Sequence, residues 1–122
     1  MVGGVHMSSS IVQKKSFEFS LCIIRLYCEL QRRHEYVISK QLLRSATSIG
    51  ANVVEALAGQ SRRDFLAKMS IASKEARETS YWLMLLDQSK LVEISVTTEL
   101  KYVNELIRML TSIVKTTGEQ PK

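Results

Sequence analysis

The sequence predicts an all-α protein, an antiparallel up-down-up-down four-helix bundle that oligomerises. Three observations lead there. Apolar residues recur at intervals of three and four through four long segments. No window alternates with period two, so no sheet is expected. The one proline stands at position 121 and the breaks between segments are short, so neighbouring helices should run antiparallel. With 122 residues, 45% apolar and 24% charged, the chain makes a single domain that needs neither disulfide nor metal, and disordered or collagen-like classes are excluded.

The opening MVGGVHMSSS has a second methionine at Met7 and little pattern. Residues 1–9 are therefore expected to be a disordered start, an upstream initiation or a remnant of cloning, ahead of a single bundle domain over 10–118 and a flexible tail over 119–122. A first helix over 10–33 carries Phe17, Leu21, Ile24 and Cys28 at 4,3,4 spacing, the mark of a face packed on other helices. Phe19, Ile23, Leu26 and Leu30 form a second stripe beside it. The second helix, 39–58, turns Leu42, Ala46, Ile49, Val53 and Leu57 inward and breaks at Gly59-Gln60. Ser61 caps the third, 62–89, with Asp64 three residues on, and Phe65, Met69, Ala72, Ala76, Thr79, Leu83 and Leu86 keep heptad spacing. Ser95 caps a fourth over 96–117 that carries Val96, Leu100, Val103, Ile107, Leu110 and Val114 inward.

More apolar surface is present than one bundle core requires. Leu106, Met109 and Ile113 on the fourth helix, with Trp82 and Leu85 on the third, are expected to meet a neighbouring subunit. The turn between helices two and three sets a register in which paired positions sum to about 119. It places Arg44 near Glu75, and Glu55 near Asp64 and Lys68. Arg44, Asn52, Glu55, Glu75 and Glu78 are then expected to act as a partly buried polar network that fixes helix register.

The stretches QLLRSATSIGANVVEA (Gln41 to Ala56) and GQSRRDFLAKMSIASKEARETSYWLMLL (Gly59 to Leu86) resemble the bacterial four-helix bundle family first described as 23S rRNA intervening-sequence proteins. The resemblance runs from about Lys15 to Leu110 and rests on Ser48-Ile49, Asn52, Glu55, Asp64, Phe65, Lys74-Glu75, Glu78 and Trp82 in combination. It implies an antiparallel bundle that assembles into a pentameric ring. It also implies kinship with the accessory variability protein of diversity-generating retroelements, a partner of nucleic acid and of a reverse transcriptase.

No catalytic or metal constellation is apparent. His6 and His34 are far apart, and two cysteines six residues apart make no zinc site. Glu75 and Glu78 share a helix face but lack the following histidine of a bundle metal site. No enzyme activity, cofactor or metal is expected. No apolar run reaches the ~20 residues of a membrane span, and no signal peptide opens the chain. A cytoplasmic protein with Cys22 and Cys28 reduced in the core is expected.

Charge supplies the functional signal. Seventeen basic residues against twelve acidic give +5, and residues 1–68 hold ten basic and five acidic side chains against seven of each in the remainder. Lys14, Lys15, Arg62, Arg63, Lys68 and Lys115 are expected to collect at one end of the bundle, where a ring would repeat them into a rim for an RNA or DNA backbone. Arg62 and Arg63 also occupy a first helical turn, which the macrodipole makes unfavourable for cations, and a phosphate ligand would explain them. The competing reading is an assembly scaffold whose partner is another protein.

Overall fold

The computed structural model describes the backbone of residues 3–119 and the side chains of residues 9–119. Four helices follow one another, α1 (Gly3–Arg32), α2 (Ile38–Leu57), α3 (Arg62–Ser89) and α4 (Thr97–Glu119), with no strand among the described residues. Each helix touches its two neighbours in the cycle α1, α2, α3, α4 and not the one diagonally opposite. Arg44 reaches Glu75 and Glu78 while Glu55 reaches Lys68, so α2 and α3 run antiparallel. Lys15 with Glu105 and Cys22 with Glu99 show the same of α1 and α4.

Helix limits fall within two residues of expectation except at the start of α1. Residues 3–9, for which the sequence offers a disordered start, an upstream initiation or a remnant of cloning, are helical, and Ser9 is buried. The reason is that the core stripe of α1 continues upstream. Phe19 is preceded by Ser16, Val12 and Ser9 at intervals of three, four and three, all buried and all small or apolar. Glu119 ends α4, and residues 120–122 of the expected tail lie outside the described residues.

The two stripes of α1 exchange roles. Phe19, Ile23, Leu26 and Leu30 join the core, whereas Phe17 is 64% exposed and Leu21, Ile24 and Cys28 are also at the surface. Both stripes have the same spacing, but only the buried one stays small or apolar from residue 9 to residue 30. On α2 the last core position is Ala56 rather than Leu57. All seven expected core positions of α3 are buried. On α4 the core face is rotated towards α1. Leu106 (0% exposed) and Ile113 are interior residues, and Leu100, Ile107 and Val114 flank them. Assigning Leu106 and Ile113 to a subunit interface is thus corrected: seven-residue periodicity leaves the choice between adjacent stripes open, and packing against Phe19 and the other core residues decides it. Trp82 and Met109 are half-buried against the core and Leu85 is half-buried.

The α1–α2 connection is closed by a device the sequence reading missed. His34 adopts a left-handed conformation (φ 64°), its N–H bonds to the Gln31 carbonyl at 3.0 Å, and the Glu35 N–H bonds to the Leu30 carbonyl at 2.9 Å, the paired bonds of a Schellman ending. The buried Glu35 carboxylate then accepts from the N–H groups of Val37, Ile38 and Ser39 at 3.0, 3.0 and 2.6 Å and caps α2. Ser61 caps α3 as expected, accepting from the Asp64 N–H at 3.1 Å. Ser95 stands one residue too early to cap α4, whose first backbone bond runs from Leu100 N–H to the Val96 carbonyl.

Candidate nucleic-acid interface

The six basic residues assigned to one end of the bundle do not form one group. Because α1 begins at Gly3, Lys14 and Lys15 stand eleven and twelve residues along it, about 17 Å from its start. Lys15 is bound to Glu105 of α4 at 2.6 Å, and that hydrogen bond, reinforced by the carboxylate charge, raises its pKa above the usual lysine value. Lys68 is bound to Glu55 at 2.8 Å. Arg62 donates from Nε to the Thr117 carbonyl at 3.1 Å. This contact accounts for an arginine in a first helical turn without any phosphate: its charge serves the negative end of α4, where cations are favoured. Lys14, Arg63 and Lys115 are exposed, with no ion pair among the described residues.

The expected polar network is present in two separate parts. Arg44 binds Glu78, and Glu75 at 3.4 Å, and Glu78 also accepts from the Trp82 indole at 3.0 Å. The Glu75 and Glu78 carboxylates are thereby occupied by a cation. Asn52 bonds within its own helix, to the Ser48 carbonyl and hydroxyl at 2.9 and 3.0 Å, and does not join Lys68 and Glu55. That pair is half-exposed, so it contributes little to stability. Ser45 and Thr79 share a buried hydroxyl contact of 2.9 Å where α2 and α3 come close. Among the described residues no three His, Cys, Asp or Glu side chains gather as a metal would require.

Neither cysteine is a core residue. Cys28 is exposed; Cys22 is half-buried, 3.9 Å from a Glu99 oxygen, and burial followed by the Glu99 charge pushes its thiol pKa up. Iodoacetamide at neutral pH should therefore alkylate Cys28 first and Cys22 several-fold more slowly, about an order of magnitude. Peptide mass spectrometry over time reads this, and equal rates would contradict the placement of α1.

The pairing of charges has a consequence that counting by halves of the sequence conceals. Arg44, shared between Glu75 and Glu78, and Lys15, bound to Glu105, carry positive charge from the first half onto carboxylates of the second. Exposed cations of the second half, Lys74, Arg77, Lys90, Lys101, Arg108 and Lys115, are left without a carboxylate partner among the described residues. Most of the unpaired cations thus lie on α3 and α4, together with the unpaired carboxylates Asp64, Asp87, Glu99 and Glu119. An apolar groove lies between α1 and α2, lined by Phe17, Leu21, Gly50 and Val54, and Ile71, Tyr81 and Met84 are exposed on α3. No helix is long and apolar enough to cross a membrane.

The chain is similar in fold and sequence to the crystal structure of a protein of unknown function from the S23 ribosomal protein family of Bacteroides thetaiotaomicron, with 44% identity and a TM-score of 0.83 over 88% of this chain and 98% of that one. No curated protein matches it. The model of the 23S rRNA-intervening sequence protein family matches residues 8–112, nearly the whole bundle. With four helices packed as the sequence pattern requires and that match spanning them, the chain belongs to the 23S rRNA-intervening sequence protein family.

Proposed function

We propose that the protein is a non-catalytic, homo-oligomeric module of the cytoplasm that binds the backbone of a nucleic acid without reading its sequence. The observation that carries this reading is the segregation of charge. Glu29, Glu55, Glu75, Glu78 and Glu105 are held by cations and Glu35 by backbone N–H groups, while exposed lysines and arginines stand unpaired. Pairing leaves the net charge at +5 but gathers the unpaired cations into patches, where the local potential is positive. The family's name makes RNA the first probe to use. Assembly, five-fold as the resemblance implies, is supported by the apolar groove between α1 and α2, which a lone subunit leaves wet.

The test is fluorescence anisotropy of labelled single-stranded RNA and of duplex DNA at several salt concentrations. Binding at low salt should fall linearly in log K against log salt, with similar slopes for unrelated sequences. Absence of binding at low salt would overturn the reading. The same apolar groove favours the scaffold as a second reading, and a protein partner held there would dissociate little as salt rises.

A further inference from the structure

We propose that the phosphate-binding surface is the outer face of α3 and α4, a linear strip of cations built on Lys101, Arg108 and Lys115 and joined by Arg77, and not the end of the bundle. The proposal rests on the nucleic-acid reading above and assigns it a place. Lys101, Arg108 and Lys115 are seven residues apart, so they share one face of α4 and span about 21 Å along it. All three are exposed. Arg77 reaches across from α3 and donates to the Thr111 hydroxyl at 2.9 Å. Thr111 lies between Arg108 and Lys115, so this bond sets a fourth guanidinium beside the strip.

The surroundings keep the strip positive. Asn104, Thr111 and Ser112 beside it on α4 are uncharged. Glu105 is engaged by Lys15 on the α1 side, Glu99 lies against Cys22, and Glu75 and Glu78 are turned to Arg44 on α2. Glu119 stands only at the far end, one turn beyond Lys115. On α4 the positions between these cations hold no exposed aromatic or large aliphatic side chain, while Tyr81 and Met84 are exposed one and two turns beyond Arg77 on α3. On α4 the lack of a hydrophobic anchor among the cations distinguishes the strip from a protein-docking surface, which is centred on buried aromatic or aliphatic contacts. Cations spaced along one helix face engage phosphates, contacts that carry no sequence information.

The experiment compares two triple variants of equal charge change in the anisotropy titration, Lys101→Gln/Arg108→Gln/Lys115→Gln on the strip and Lys14→Gln/Arg25→Gln/Lys40→Gln on α1 and α2. All six residues are exposed, and circular dichroism with light scattering verifies fold and assembly. The strip variant should lose on the order of 100-fold in affinity near 0.1 M salt and about two units of salt slope per subunit engaged. The other should keep most of both. Equal losses, or a strip variant that binds like the unaltered protein, would overturn the placement while leaving nucleic-acid binding intact. No binding by the unaltered protein at low salt would overturn both.

Discussion

Leu106→Asp unfolds the subunit, whereas Phe17→Glu leaves it folded. Leu106 is fully enclosed and belongs to the same cluster as Phe19, Leu83 and Leu110. A carboxylate there has neither water nor a cation, and its desolvation outweighs the roughly 5–15 kcal/mol that holds a domain of this size together. Leu106→Ala, which removes volume without adding charge, should cost about 2–5 kcal/mol. Phe17 lies on the opposite face of α1 from the core, 64% exposed, and its replacement should change subunit stability by about 0.5 kcal/mol or less. If the α1–α2 groove is covered by a second copy, Phe17→Glu dissociates the assembly with its helices intact. Urea unfolding followed by circular dichroism, paired with light scattering, separates these outcomes. A folded Leu106→Asp monomer would return Leu106 to the interface and contradict the packing of α4.

Periodicity made the helices legible because four long segments hold a three-to-four spacing with no competing pattern. It made α3 legible to the residue, since Phe65, Met69, Ala72, Ala76, Thr79, Leu83 and Leu86 form the one continuous stripe that α3 offers. On α1 the two apolar stripes lie nearly opposite one another and on α4 about 100° apart, and spacing alone cannot choose between them. The signal that settles α1 is continuity: the stripe through Val12, Ser16 and Phe19 runs two turns further than the one through Phe17. Ser9 and Ser16 are core residues despite their hydroxyls, Ser16 lying against Gly50 where α1 meets α2. Charge was harder, because partners come from different helices. The antiparallel register brought Arg44 to Glu75 and Lys68 to Glu55, but nothing local announces that Lys15 meets Glu105. Without that pairing the cations of the first half look free and those of α4 look balanced. The heptad spacing of Lys101, Arg108 and Lys115 acquires meaning only when their acidic neighbours Glu99 and Glu105 are known to face α1.

Glu35→Ala should destabilise the protein by about 2–3 kcal/mol, more than loss of any surface ion pair. Its side chain is the cap of α2: three successive N–H groups converge on one carboxylate, and the negative charge sits at the positive end of the helix dipole. Ser39 returns the contact by donating its hydroxyl to the Glu35 carbonyl at 2.8 Å, and Gln31 donates to that carbonyl and to Ser39 as well. Alanine deletes three acceptor contacts and strands the N–H of the buried Ser39, where water does not replace the lost partner. Glu35→Gln keeps an amide oxygen for one or two of the N–H groups but loses the charge and turns a donor towards the rest, so its cost should fall between zero and that of alanine. Both variants should keep the bundle, because Leu30 and Leu42 on either side remain packed. Urea denaturation with an unchanged m-value reads the two costs directly. Stability within about 0.5 kcal/mol of the unaltered protein for Glu35→Ala would mean that α2 is capped some other way, and that the α1–α2 corner is held by its Schellman bonds alone.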